Sequence, residues 1–159
     1  MTNPTIEQAW LQRLIGDWTY EFSTADSSDH PGATANGTEK VRPVGDVWIV
    51  AENEGVGSDG SVSHSITTIG FEPDKGRFSG SVVGTMAPVL FIYDGALSDD
   101  GTSLVLETEG PAMTEDRVTD KYRDIFRVID DANRETIAEV LGEDGQWRGF
   151  MSTRYKRAA

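Results

Sequence analysis

Few residues in this chain are of a type that does chemistry unaided. It has no cysteine and only two histidines, His30 and His64, which rules out thiol nucleophiles, disulfides and cysteine-ligated zinc or iron–sulfur centres. His30 falls in the polar stretch Asp26–Pro31 and is expected in solvent. His64 lies inside a strand-like run, on the face shared with Val62, Ile66 and Thr68, where an imidazole lining a pocket can serve as acid, base or axial ligand. Its neighbours Ser63 and Ser65 point to the other face of a regular strand, so a Ser–His dyad is not expected.

The rest of the chemistry falls to carboxylates within strands. Glu52 and Glu54 share a face with Trp48 and Val50, Glu107 and Glu109 with Val105, and Asp124 with Tyr122, Phe126 and Val128. Turned inward, such a group is desolvated, its pKa rises and it becomes a general acid or base. Turned outward, it pairs with Lys or Arg on the next strand. Both arrangements remain open at this level. The acid–base candidates are His64, Glu52 and Asp124. No G-x-S-x-G, P-loop, G-x-G-x-x-G or calcium-loop pattern occurs, and no spacing supplies three metal ligands, so neither metal nor cofactor is expected. Haem would depend on His64 alone, which disfavours it.

Aromatic and methionine side chains are more plentiful: Trp48, Phe78, Met86, Phe91, Tyr93, Tyr122, Phe126, Trp147, Phe150 and Met151. They suit a pocket lining and a packed core equally. The ligand-contacting candidates are Trp48, His64, Met86, Phe91, Tyr93, Tyr122 and Met151.

These residues need elements to position them. Ile6, Trp10 and Leu14, with Leu11, recur at helical spacing, and Thr5 and Gln8 form a capping-box pattern, predicting a helix over about residues 5–15 stopped by Gly16. Beyond it the period becomes two. Strands are predicted at Asp17–Thr24, Thr38–Pro43, Val47–Val56, Val62–Phe71, Arg77–Thr85, Val89–Leu97, Ser103–Glu109, Lys121–Ile129, Glu135–Leu141 and Trp147–Lys156. Short turns such as Asp59-Gly60 and Asp144-Gly145 make neighbours pair as a meander. Ala25–Asn36 and Pro111–Thr119 are the longer loops, and Asn36-Gly37-Thr38 reads as a turn. A meander of about ten strands left open would expose two long edges, and closure removes them. The expected fold is all-β: one antiparallel up-and-down barrel over about residues 17–157, with a short N-terminal helix, forming a single domain over 1–159.

The net charge of −13 repels phosphate backbones and anionic lipid, so neither nucleic acid nor a membrane is an expected partner. No apolar run approaches the roughly 18 residues of a membrane span, and no signal-peptide pattern opens the chain, so a cytoplasmic location is expected.

Gly16-Asp17-Trp18, between helix and first strand, resembles the G-x-W signature of lipocalins and other calycins. There the Trp packs across the barrel floor under a basic residue from a late strand, a role that falls here to Arg154 or Arg157 and is worth roughly 0.5–2 kcal/mol. The segments LQRLIGDWTYE, VWIVAENEG, TTIGFEPDKGRFSGSVVGTM, YDGALSDDGTSLVLETEGP, KYRDIFRVIDD and EDGQWRGFMSTRYKR are similar, in order, to the bacterial family of domain of unknown function 1579. The resemblance implies a calycin-like barrel and carries over no catalytic or metal residue. Where that family often has a pair such as His-Leu-Trp before Tyr-Asp-Gly, this chain has Val89-Leu90-Phe91-Ile92 before Tyr93-Asp94-Gly95, implying a more apolar pocket if that strand lines it. The functional expectation is a protein that binds a small apolar or aromatic molecule in its cavity. The alternative is a metal-independent acid–base enzyme, of isomerase, cyclase or lyase type, in the same cavity. A homodimer through outward apolar strands is a further expectation.

Overall fold

Thr5 opens the first element of the computed structural model, which describes residues 3–25 and 32–158. The Thr5 hydroxyl accepts from the Gln8 N–H while the Gln8 side chain accepts from the Thr5 N–H, satisfying two donors that a helix start leaves free. Helix α1, Ile6–Gln12, is shorter than the spacing predicts. From Arg13 the chain tightens to i→i−3 bonds, Arg13 to Trp10, Leu14 to Leu11 and Ile15 to Gln12. Trp10, Leu11 and Leu14 are buried, but Ile6 at the outer end of the stripe stays exposed.

Ten strands follow: β1 Gly16–Thr24, β2 Thr34–Val44, β3 Trp48–Gly57, β4 Val62–Glu72, β5 Arg77–Gly84, β6 Ala87–Leu97, β7 Ser103–Pro111, β8 Thr119–Val128, β9 Asn133–Leu141 and β10 Trp147–Arg157. Each pairs antiparallel with its sequence neighbours, and β1 pairs with β10 from Trp18↔Arg157 to Thr24↔Met151, closing the barrel. The all-β, up-and-down expectation therefore holds strand for strand. Gly60, Gly76, Gly101 and Gly145 take positive φ in the turns that the sequence marks.

Most boundaries fall within two residues of those expected, and the largest difference is in β2. Strand β2 begins at Thr34, so residues 34–36 pair with β1 instead of forming loop, and Asn36-Gly37-Thr38 is strand and not turn. The reason is steric. Gly37 and Gly55 lie beneath the Tyr20 ring, and a Cβ at either would overlap its hydroxyl. Small residues in this stretch let the wall close over a large inward side chain. His30 lies outside the described residues.

Up-and-down connectivity puts the β1–β2, β3–β4, β5–β6, β7–β8 and β9–β10 connections at one end and helix α1 at the other. The core is densest near the helix, where Leu11, Phe78, Ile49, Ile69, Leu104 and Leu106 are almost wholly buried. Trp10 donates its indole N–H to Gly101 O in the β6–β7 turn at 3.0 Å, pinning the helix across the barrel end. On the outer wall Ile66, Val83, Leu90 and Ile92 are exposed together on β4–β6. No helix among the described residues is long and apolar enough to cross a membrane.

Candidate functional site

Strand alternation decides which candidates meet. In β3 the inward residues are Ile49, Ala51 and Asn53, so Glu52 and Trp48, each one position away, face outward. Glu52 is half-exposed, 3.9 Å from Arg42, and Trp48 covers Gly70 on the outer wall. In β4 the inward residues are Ser65, Thr67 and Ile69, which puts His64 in solvent. The imidazole, Glu52 and Trp48 therefore take no part in the interior. They were placed by the apolar residues of their own face, but in both strands the opposite face is apolar too and is the buried one. Glu54, Glu107 and Glu109 are likewise outward. The structure brings together the others: Asp124, Met86, Phe91, Tyr93, Tyr122 and Met151.

They line the wider of two connected chambers, about 440 Å³, toward the open end of the barrel. Val82, Pro111, Met113 and Phe150 complete its mostly apolar wall. Pro111 ends β7 and Met113 stands at the start of the β7–β8 connection, which brings that loop to the mouth. A narrower chamber of about 240 Å³ lies below, reaching Leu14 behind the helix, and it is more polar. Ser65, Tyr93, Asp124, Ala138 and Met151 border both chambers and mark the waist.

The lower chamber holds a network that the sequence did not disclose. Arg134 is almost wholly buried and donates to Glu39 at 2.5 Å. Glu39 also accepts from Asn53 at 3.1 Å, and Asn53 accepts from the Tyr20 hydroxyl at 2.8 Å. The Arg134 guanidinium lies 3.7 Å from the Tyr155 ring centre and 4.5 Å from that of Trp18. Beneath, the expected late-strand cation is Arg157 and not Arg154. It lies 4.2 Å over Trp18 and donates to the carbonyls of Ile15, Arg13 and Asp131. The Trp18 indole donates to Leu14 O at 2.9 Å, tying the barrel floor to the end of the helix segment.

At the waist the Tyr93 hydroxyl donates to Asp124 Oδ2. Tyr93 meets the Phe126 ring edge-on, and Ala138 lies across the β8–β9 ladder from Asp124. Burial pushes the Asp124 carboxyl up from its ordinary value, while the bond from Tyr93 opposes the rise. Burial first, then the Asp124 charge, puts the Tyr93 phenol well above its ordinary value. The folded protein thus holds the Asp124 proton more tightly than the unfolded chain does. Ionisation costs stability, and the loss develops as pH rises from about 3.8 through the folded-state value. An Asp124→Asn variant has no such ionisation. Its melting temperature minus that of the wild type is expected to increase over that window and level off above it. Thermal melts across pH measure this, and a difference independent of pH would contradict a desolvated carboxyl.

The wall has one discontinuity. β6 pairs with β7 only over Asp94–Leu97, whereas its other edge is paired with β5 as far as Phe91 and again at Ala87. Beyond Asp94 the ladder is not continued, and the Phe91 ring lies over Gly110, where any Cβ would overlap it. This short seam lies beside the apolar chamber, which Phe91 lines. Among the described residues no group of three or more His, Asp or Glu side chains is disposed to hold a metal ion.

A closed ten-stranded meander with a helix across one end, a Trp–Arg stack at its floor and an open interior defines a calycin-like barrel. The chain belongs to the family of proteins of unknown function DUF1579, whose sequence profile matches residues 3–157. A search of curated proteins returned no match. Among solved structures, Rv2717c from M. tuberculosis is 13% identical, covering 99% of this chain and 100% of its own, with a TM-score of 0.70. The S-type phycobiliprotein lyase CPES from Guillardia theta is 16% identical, covering 98% and 99%, with a TM-score of 0.63. EF1p2_mFAP2b bound to DFHBI is 13% identical, covering 96% and 99%, with a TM-score of 0.53. At these identities the likeness is one of fold.

Proposed function

We propose that this protein binds one small, largely apolar or aromatic molecule in the barrel, entering from the end opposite the helix. The observation that carries this reading is the apolar chamber of about 440 Å³, within the roughly 300–1,000 Å³ usual for small-molecule sites and lined by Phe91, Met86, Met113, Phe150 and Met151. A barrel interior filled by its own side chains would leave no such space. Methionines on several sides suit a ligand whose shape the wall must follow. The structural neighbours support the reading by analogy, since mFAP2b holds DFHBI and the Guillardia theta protein is named a phycobiliprotein lyase.

The test fills the space. Ala138 borders both chambers and is small and buried, so Ala138→Leu places added volume at the waist. Native mass spectrometry and thermal shift against a panel of apolar and aromatic metabolites are expected to find 1:1 binding to the wild type. The variant should lose at least tenfold in affinity at a stability cost of about 1–3 kcal/mol. Undiminished binding to Ala138→Leu would place the ligand elsewhere and defeat the reading.

A second reading is favoured by one observation, the desolvated Asp124 beside Tyr93. A carboxyl whose pKa is raised is suited to exchange a proton with a bound molecule, which is the requirement of a metal-independent isomerase, cyclase or lyase. In that case Asp124→Asn abolishes turnover of the ligand found by the panel, while a pure binder returns its ligand unchanged.

A further inference from the structure

We propose that Asp124 and Tyr93 form a recognition point for nitrogen, so that the molecule taken into the barrel is an apolar ring compound carrying a protonated amine or a ring N–H. This rests on the binding reading above and narrows it to a ligand class.

The argument begins with what Asp124 lacks. An aspartate held inside a protein ordinarily faces a cation or several donors, because a desolvated carboxylate is costly when alone. Among the described residues its hydrogen-bond partner is the Tyr93 hydroxyl, on Oδ2, and no ion pair reaches it. The basic residues nearby are committed. Arg123 and Arg127, on the same strand, have outward parity and pair with Glu139 and Glu135 on β9. Arg134 is occupied by Glu39 and covered by Trp18 and Tyr155 in the lower chamber. Oδ1 of Asp124 is thus an acceptor with no protein donor, and it borders both chambers.

The surroundings say what must come to it. Phe91, Val82, Ala138 and Met151 offer surface for a ring system but no hydrogen bond. A ligand carboxylate would set two acceptors against each other, and a plain hydrocarbon would leave Oδ1 dry and unpaired. An N–H donor completes the carboxyl, and a positive charge also supplies the missing counter-ion. The chain's net charge of −13 acts in the same direction, raising the local concentration of cations and lowering that of anions. Tyr93 then fixes the carboxyl rotamer, presenting Oδ1 to the ligand while Oδ2 stays bonded.

Three naphthalene probes of similar size separate the alternatives: 1-naphthylmethylamine, 1-naphthylacetic acid and 1-methylnaphthalene. They are titrated into the full chain by calorimetry and fluorescence, against wild type and Asp124→Asn, with melts confirming that the variant folds. Wild type is expected to take the amine at least tenfold more tightly than either other probe. Asp124→Asn should remove that preference while leaving 1-methylnaphthalene unaffected. The variant keeps nearly the whole surface charge, so a preference that survives it comes from the general field and overturns the proposal. Equal or tighter binding of the acid or the hydrocarbon to wild type also overturns it, and leaves the cavity reading standing. If no probe binds, the cavity reading fails and this proposal fails with it.

Discussion

Replacing Arg134 by alanine is expected to destabilise the protein by about 3–5 kcal/mol, the usual cost of removing one partner of a buried ion pair. The magnitude follows from what remains. Glu39 would keep its Asn53 donor but lose the guanidinium, leaving a nearly buried carboxylate with one neutral hydrogen bond. Trp18 and Tyr155 would lose the cation that lies against both rings. The double variant Arg134→Met with Glu39→Gln removes both charges and keeps most of the volume. It should recover much of the loss, since a pair buried this deeply is costly to desolvate even when well matched. Urea unfolding of the wild type, Arg134→Met, Glu39→Gln and the double variant measures the coupling. Simple additivity would show that the two side chains do not act as a unit.

The second large effect lies at the other end of the same floor. Trp10→Ala is expected to cost about 3–5 kcal/mol, because the ring is almost fully buried between helix and barrel and its removal leaves a cavity that the wall cannot collapse around. Trp10→Phe isolates the polar part. It keeps an aromatic ring but abandons Gly101 O, and should cost about 1 kcal/mol. Because Gly101 sits in the β6–β7 turn, the alanine variant also frees the helix from the wall, and amide exchange in α1 should quicken beyond the global change in stability. If the two variants cost the same, the hydrogen bond and not the packing holds the helix in place.

Much of this architecture was legible in the sequence, and the reason is physical. Period two with Gly at the turns specifies a meander, the Thr5–Gln8 cap specifies a helix start, and the cost of two free edges specifies closure. Parity was not legible, because in β3 Trp48 and Val50 compete with Ile49 and Ala51, and in β4 Val62 and Ile66 compete with Ile69 and Phe71. A barrel whose outer wall is partly apolar erases the signal that would distinguish its faces. That is why His64, Glu52 and Trp48 were grouped with Asp124 and Tyr93, from which the structure separates them. The Glu39–Arg134 pair was missed for a different reason: 95 residues separate the partners, and no local spacing links them. The one available signal was that Glu39 shares a face with Val41 and Arg134 with Ala138, charged residues in register with buried ones.

The seam between β6 and β7 has a dynamic consequence. The β6–β7 junction has the shortest ladder of the barrel, from Asp94↔Glu107 to Leu97↔Leu104, and beyond it the Phe91 ring packs over Gly110. Fewer main-chain bonds oppose separation there than at the other junctions, so local opening of the wall is expected to begin at that stretch, as earlier amide exchange in β6 would show. Phe91 lines the chamber and also backs this thinly paired wall, so under the binding reading the same side chain contributes to a guest's affinity and to the barrier against its escape.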